Sequence, residues 1–99
     1  MNTEAKRVVL YSLSGYNQKH DSILENLIDE KILLFCAVGK DCELWHDIMD
    51  ELFVGFGEER DFFMITTFHK DETFDEVIQF AEMYNLEGIT NYKIKVIQI

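Results

Sequence analysis

Proline is absent from this chain, and cysteine, glycine and basic residues are scarce: two, five and nine in 99 positions. Without proline's fixed backbone angle and missing N–H, no position is barred from a regular helix or strand, so we expect a chain made almost entirely of regular elements. Two cysteines cannot form a disulfide framework, and we expect both thiols to be free in a reducing compartment. The length and the absence of repeats or linkers predict one domain, residues 1–99.

Long apolar runs are also missing. The longest, Ile32 to Val38, is far below the ~20 residues of a membrane-spanning helix. The run Val8 to Tyr11 near the N-terminus is too short for a signal peptide and lacks a small-residue cleavage site. We therefore predict a cytoplasmic protein that does not interact with the membrane. The apolar fraction of 47% agrees with a packed globular chain.

The scarcity of basic residues leaves a net charge of −10. Proteins bind nucleic acid by replacing phosphate counterions with their own cations, so direct nucleic-acid binding is disfavoured. A negative field attracts a cationic protein or a metal ion, or it serves only solubility. Eight acids fall between positions 41 and 61: Asp41, Glu43, Asp47, Asp50, Glu51, Glu58, Glu59 and Asp61.

Apolar runs alternate with amphipathic patterns along the chain. The runs predict strands at Arg7–Leu13, Ile32–Val38, Phe62–Phe68 and Tyr92–Ile99. Asp21 or Ser22 is expected to cap the first helix, and Ser22 with Glu25 fits the capping-box pattern. Asp41 is expected to cap the second helix, and Thr73, with Glu76 three residues later, the third.

The resulting order, β-α-β-α-β-α-β, predicts an α/β fold with a small, open, mostly parallel four-stranded sheet. We expect a flavodoxin- or Rossmann-like three-layer arrangement and favour the strand order 2-1-3-4. Lys93 and Lys95 alternate with apolar residues in the last strand, which is typical of a half-exposed edge. The second strand is apolar on both faces, which argues mildly against its lying at the other edge.

The second predicted helix has the clearest amphipathic pattern. Its apolar stripe consists of Leu44, Trp45, Ile48, Met49, Leu52, Phe53 and Phe56. Gly55 and Gly57 are expected to end the helix. Acids fill the opposite side of the helix. They form the predicted protein-binding face, which consists of Glu43, Asp47, Asp50 and Glu51. Like charges at these spacings repel, and a helix built only for stability would have lysines among them.

Ligands of open parallel sheets bind outside the carboxyl ends of the strands. Near those ends lie the candidate catalytic residues Cys42, His46 and His69. Cys42 and His46 are four apart and share a helix face, and a thiol in the first turn beside a histidine is a nucleophile–base arrangement. The alternative interpretation is a small boundary residue beside a partly exposed histidine.

A divalent metal site is a second candidate for the same edge. His46, His69, Asp71 and Glu72, with Asp41 or Asp50, offer the imidazole and carboxylate ligands that zinc and manganese accept. No HExxH or paired-cysteine motif is present, and carboxylates at helix starts also serve as caps. Gly15 and Gly39 belong to no phosphate-binding motif, so no organic cofactor is indicated.

Two motifs carry a resemblance to a known family. Gly39 to Asp47 reads GxDCExWHD and Thr66 to Glu72 reads TTxHxDE. The region from about 32 to 81 resembles an uncharacterised family of small bacterial single-domain proteins, a domain of unknown function. The resemblance implies a bacterial origin and a single domain, and it implies no activity. The chain departs from the expected aromatic pattern at Phe68 and at Ala37-Val38.

Together these observations predict a small acidic cytoplasmic protein that acts as a protein-binding or regulatory module, with a cationic protein as its partner. The sequence is also compatible with a homo-oligomer. The alternative is a small enzyme or metal-binding domain that uses the Cys/His/carboxylate rim. The two hypotheses differ in one geometric respect, since the alternative needs His46 and His69 to face one cleft.

Overall fold

The protein is described here by a computed structural model that covers residues 5–55, 62–86, 88–89 and 92–99. Its elements are β1 Arg7–Ser12, α1 Asp21–Asp29, β2 Leu34–Gly39, α2 Cys42–Val54, β3 Ile65–His69, α3 Phe74–Met83 and β4 Ile94–Gln98, with a 3₁₀ turn at Gln18–His20. All strand pairs are parallel. The predicted α/β fold with an open, parallel four-stranded sheet is confirmed. Phe56, Gly57, Glu58, Glu59 and Asp61 lie outside the described residues.

The strand order is β3-β2-β1-β4, so the predicted order 2-1-3-4 is wrong. The physical reason lies in the composition of β2, whose apolar side chains from Leu34 to Val38 are buried on both faces. A strand of this kind is most stable with neighbours on both sides, and β1 and β3 are those neighbours. β3 carries the two threonines Thr66 and Thr67 and lies at one edge. The prediction that β4 forms an edge is confirmed.

The helices divide between the two faces of the sheet. Leu24 and Leu27 of α1 and Trp45 and Met49 of α2 share one buried cluster. Val77 and Ala81 of α3 belong to a second cluster, with alternate residues of the same strands. The chain moves from β1 through β2 to β3 in one direction and then returns past β1 to β4. A constant right-handed crossover therefore places α3 opposite α1 and α2.

The helix starts differ in part from those expected. Thr73 and Glu76 form the predicted capping box, with Glu76 N donating to Thr73 Oγ1 over 3.1 Å. The predicted Ser22–Glu25 box is wrong because the N-cap residue of α1 is His20, two residues before Ser22, and the helix begins at Asp21 directly after the 3₁₀ turn. Asn17 and His20 form the capping box of that turn instead. A shorter turn thus supplies the polar start that the sequence pattern assigned to α1.

The strand bounds also differ from the prediction. β1 ends at Ser12 and β2 begins at Leu34, while β3 begins at Ile65, opposite Leu34, and extends to His69. β4 begins at Ile94 because pairing with β1 starts there, opposite Arg7. Apolar content extends beyond the paired residues, so composition alone overestimates strand length. No helix within the described residues has the length and apolar content needed to cross a membrane.

Candidate functional site: an acidic cavity and the α2 face beside it

The turns that follow β2 and β3 lie side by side at the carboxyl edge of the sheet. The two strands are neighbours, but β2 leads into α2 on one face whereas β3 leads into α3 on the other. Ligands of open parallel sheets bind outside the carboxyl ends of the strands. This pair of turns is therefore one place on the rim where a site is expected.

A cavity of about 570 Å³ lies at this place. Its lining residues come from the β2–α2 turn, the first turns of α2 and the β3–α3 turn: Gly39, Asp41, Cys42, Glu43, Leu44, Asp47, Lys70 and Asp71. Four of the eight are carboxylates and one is a cation, so the lining has an excess of three negative charges. The cavity thus favours a positively charged group over an anion, although a helix begins at its wall.

The wall of the cavity is fixed by a close contact between the ends of β1 and β2. Gly39 has φ +96°, and a Cβ there would lie 2.3 Å from Ser12 O. Lys40 N donates to the same carbonyl over 2.8 Å. Ser12 Oγ in turn accepts from Trp45 Nε1 over 3.0 Å and from Gly15 N over 3.1 Å. These contacts join β1, β2 and α2 into one rigid corner.

The two turns that frame the cavity are built alike. In each turn, a lysine directly follows the strand, and the next residue is an aspartate in the left-handed conformation. These aspartates are Asp41, with φ 62°, and Asp71, with φ 63°. Asp41 is the N-cap residue of α2, as predicted, but its side chain makes no capping hydrogen bond. Its Oδ2 instead accepts from Tyr16 N over 3.0 Å. The carboxylate therefore holds the β1–α1 connection against the cavity wall.

The cation in the lining is already paired. Lys70 Nζ lies 2.9 Å from Glu43 Oε1, and both side chains are more than half exposed. The hydrogen bond to Glu43, with the charge of that carboxylate, raises the pKa of the Lys70 ammonium. Exposed ion pairs of this kind contribute little to stability and exchange readily with solvent ions. The pair can therefore open when another cation approaches Glu43.

The predicted nucleophile–base pair of Cys42 and His46 does not form. Cys42 is only 4% exposed and belongs to the core cluster with Trp45 and Met49. It was expected to lie at the exposed boundary of the helix, and this expectation is wrong because the buried stripe follows positions 42, 45 and 49. Leu44, expected in the stripe, is 44% exposed. His46 contacts aspartates rather than the thiol.

The two histidines lie on opposite faces of the sheet. The ring of His46 packs edge-on against Phe68, with centroids 5.1 Å apart, and that of His69 against Phe80 of α3, at 4.7 Å. Phe68 and His69 are consecutive in β3, so their side chains point in opposite directions. The predicted grouping of His46 with His69 in one catalytic or metal site is therefore not formed.

The other members of the predicted metal set also separate. His69 Nδ1 lies 3.3 Å from Glu72 Oε2, whereas Asp71 lines the cavity. His46 Nδ1 lies 3.0 Å from Asp47 Oδ1, and His46 Nε2 lies 3.7 Å from Asp50 Oδ2. Within the part of the chain that the structure describes, no group of three or more His, Cys, Asp or Glu side chains is arranged to hold a metal ion.

A chain of polar side chains that the sequence did not indicate lies on the α3 face. Because a carboxylate only accepts, His69 Nδ1 donates to Glu72 Oε2, and His69 Nε2 lies 2.8 Å from Thr67 Oγ1. Thr67 is the register neighbour of Cys36. This order of groups resembles a thiol–imidazole–carboxylate relay. However, Cys36 is fully buried, and burial raises its pKa to about 11, so the thiol is not a nucleophile.

Because the pKa of the buried Cys36 thiol is raised, the protein should become less stable at alkaline pH. The pKa of this thiol is 9.0 ordinarily and about 11 in the folded chain. Between these pH values the unfolded chain releases a proton that the folded chain retains. The contribution of Cys36 to the free energy of unfolding is therefore fully present below pH 9 and is lost as the pH rises to 11. The expected loss is about 2–3 kcal/mol. Denaturant unfolding at a series of pH values should show it.

Cys36→Ala is the control for this loss, because its stability should fall less steeply over the same range. Tyr16 also titrates late, since burial and a hydrogen bond to Asp21 raise its pKa to about 12, and it is unchanged in the variant. Parallel pH profiles for the two proteins would contradict the assignment of the loss to Cys36.

The four acids of the predicted protein-binding face are all exposed on α2. Glu43 contacts Lys70, and Asp47 contacts His46. Asp50 Oδ1 accepts from Thr66 Oγ1 over 2.5 Å, which connects the helix face to β3. We call these four residues, with the neighbouring cavity, the acidic α2 face. It continues from the N-terminus of α2 along the outer side of the sheet.

Sequence reasoning missed Lys70, Ser12 and the exposed position of Leu44. For Lys70 a signal was present, since Lys-Asp follows the strand end at positions 40–41 and again at 70–71. For Ser12 no signal was available, because its role depends on contacts with Trp45 and Gly39, which are distant in sequence. Leu44 and Trp45 are neighbours, and only the packing angle of the helix decides which of them is buried.

Comparison with known proteins identifies a family. A family model described as Domain of unknown function (DUF7684) matches residues 2–92. The chain therefore belongs to this family, and the resemblance to an uncharacterised domain family is confirmed. A bacterial origin stays a prediction. No curated protein and no solved structure matches the chain.

Proposed function

We propose that this member of the DUF7684 family is a protein-binding module whose acidic α2 face binds a cationic protein. The observation that carries the proposal is the composition of α2, which has no lysine or arginine in its thirteen residues. Its carboxylates occupy positions 43, 47, 50 and 51 and lie at spacings where like charges repel by a few tenths of a kcal/mol each. A face that costs stability in the free protein is consistent with a use in binding.

The cavity supports the same proposal. Its lining also has an excess of negative charge, and the exposed side chain of Leu44 contributes apolar surface to that lining. A lysine or arginine from a partner buries its apolar stem against such a surface while its charge meets carboxylates. Electrostatic complementarity of this kind raises the rate of association more than it raises affinity.

The alternative, a small enzyme or metal-binding domain, is supported by the cavity but not by the histidines. Neither His46 nor His69 is part of the cavity lining. The lining thiol, Cys42, packs into the core. An enzyme at this place would therefore depend for any proton transfer on Lys70 and the four lining carboxylates, Asp41, Glu43, Asp47 and Asp71.

Neutralising the acidic α2 face should slow association without unfolding the protein. In the triple variant Asp47→Asn, Asp50→Asn and Glu51→Gln, an amide oxygen can still accept from Thr66, and like-charge repulsion is removed. Stability should stay within about 0.5 kcal/mol of wild type. A pull-down from the native host at low and high salt would supply the cationic partner, and stopped-flow mixing would measure its association. We expect a rate about tenfold lower and less dependent on salt.

A matched control removes the same charge elsewhere. Asp29→Asn, Asp75→Asn and Glu82→Gln change exposed residues of α1 and α3 and shift the net charge equally. This variant should associate at nearly the wild-type rate. Equal association rates for the two triple variants and wild type would mean that the acids of α2 serve solvation only, and the proposal would then be wrong.

A further inference from the structure

The two edges of the sheet differ in their protection. The β4 edge has Lys93 and Lys95 beside its apolar residues, and Lys95 pairs with Glu30 over 3.2 Å. Charged residues of this kind are a common device against unwanted strand pairing. β3 has the sequence ITTFH, without proline or lysine, and its histidine is buried against Phe80. Within the part of the chain that the structure describes, the β3 edge therefore has none of these devices against another strand.

The backbone of β3 has polar groups available for pairing. Ile65 N donates to Leu33 O over 2.9 Å, so Ile65, Thr67 and His69 direct their backbone groups toward β2. Thr66 and Phe68, which alternate with them, direct N–H and C=O away from the sheet. Among the described residues, no backbone partner is found for these outward groups. Phe68 is also 38% exposed, which leaves an apolar surface at the same edge.

The acidic α2 face overhangs this edge. Asp50 accepts a hydrogen bond from Thr66, and the His46 ring that packs on Phe68 contacts Asp47. The side chains of Asp47 and Asp50 are 60% and 51% exposed. A strand added beside β3 would direct alternate side chains toward α2, where they would meet these carboxylates. The charge of the helix therefore selects basic residues at those positions.

We infer that the partner binds by adding an extended, basic segment as a fifth strand along β3. The inference rests on the proposed function and specifies how the cationic partner docks. Main-chain hydrogen bonds to Thr66 and Phe68 provide affinity, and lysine or arginine side chains facing Asp47 and Asp50 provide selectivity. A second copy of this chain is not the occupant, because its charge of −10 would oppose pairing.

Two peptides of equal charge separate strand addition from simple charge attraction. One alternates lysine and valine over about ten residues, long enough for a strand. The other alternates lysine and proline and so lacks half of its backbone donors. The lysine–valine peptide should bind at least about tenfold more tightly in calorimetry, a difference of about 1.4 kcal/mol. Hydrogen exchange of the wild-type protein should show new protection at the Thr66 and Phe68 amides.

Variants of β3 test the same contact from the protein side. Thr66→Pro removes a backbone N–H that points away from β2. It should lower the affinity for the lysine–valine peptide about tenfold. Thr66→Val keeps that N–H and loses only the hydroxyl, so it should weaken peptide binding less than Thr66→Pro does. Val96→Pro makes the equivalent change at the β4 edge, where Ile99 N donates to Tyr11 O, so Val96 N–H points outward. This control should bind the peptide as wild type does.

The outcomes distinguish the two proposals. Equal affinity for both peptides, or no protection at Thr66 and Phe68, would overturn strand addition. If the triple variant of the acidic α2 face nevertheless loses affinity for both peptides, binding to the helix face stands. If wild type binds neither peptide, the proposed function is wrong as well. The hydrogen-exchange result uses the unmodified protein, so it decides the question even if Thr66→Pro does not fold.

Discussion

Trp45→Ala is expected to lower the free energy of unfolding by about 4 kcal/mol, within the usual range of about 3–5 kcal/mol for buried Trp or Phe truncated to Ala. The side chain is fully buried in the cluster that joins α1, α2 and the sheet. Its ring stacks on His20, with centroids 5.4 Å apart, and meets Tyr16 edge-on at 5.2 Å. Its Nε1 donates to Ser12 Oγ over 3.0 Å. Truncation removes all of these contacts together.

The measurement is thermal or urea unfolding followed by circular dichroism, since the substitution removes the only tryptophan. For a domain of this size about 1 kcal/mol corresponds to about 4–8 °C, so the melting temperature should fall by at least about 15 °C.

Leu44→Ala is a matched control on the same helix. Leu44 is 44% exposed, so its truncation should lower the free energy of unfolding much less than that of Trp45. The sequence had assigned both residues to one apolar stripe. Similar losses for the two variants would contradict the packing of α2 described here.

The fold class was predictable because hydrophobic periodicity records which faces are buried. The strands and helices alternate clearly in the sequence, and alternation of this kind leads to a parallel sheet. The strand order was not predictable with the same certainty, since local periodicity does not reveal which strands are neighbours. The relevant clue was nevertheless present. β2 is apolar at every position from Leu34 to Val38, whereas β3 contains Thr66 and Thr67, and these compositions correspond to an interior and an edge strand.

The candidate site was predictable in location but not in membership. The rule that ligands bind at the carboxyl ends of parallel strands indicated the turns after the strands as the place for a site, and a cavity lies at the turns after β2 and β3. Which side chains meet there depends on strand parity. Since Phe68 faces α2, His69 must face α3, and a shift of the strand by one residue would have exchanged them. No local pattern in the sequence determines this parity.

Helix rotation limited the prediction at α2 in the same way. Cys42, Trp45 and Met49 form the buried line. The sequence placed Trp45 and Met49 in the stripe correctly, but it included the exposed Leu44 and left Cys42 at the border. A rotation of about one residue, or 100°, decides whether the thiol is reactive at the surface or inert in the core. The acids were less sensitive to this error, because they occupy a broad side of the helix. All four remain exposed in the structure.

Gly39→Ala is expected to have the second large effect, because two separate costs coincide at this residue. Its φ of +96° is unfavourable for any residue with a side chain, which costs about 1–3 kcal/mol. The added Cβ would also lie 2.3 Å from Ser12 O, a backbone atom that cannot rotate away. That carbonyl accepts from Lys40 N, so moving it would disturb the β1–β2 corner and the cavity wall.

Gly88→Ala is the reference variant because it carries the conformational cost but not the steric one. Gly88 also has a positive φ, of +80°, but no atom of the described residues lies within 4 Å of a Cβ placed there. We expect about 1–2 kcal/mol of destabilisation for Gly88→Ala and about 4 kcal/mol or more for Gly39→Ala, measured by urea unfolding with Trp45 fluorescence. The difference between the variants reports the steric contact between the ends of β1 and β2. Equal losses would mean that this contact relaxes without cost, and the rigid corner that positions Asp41 and Glu43 beside the cavity would not exist.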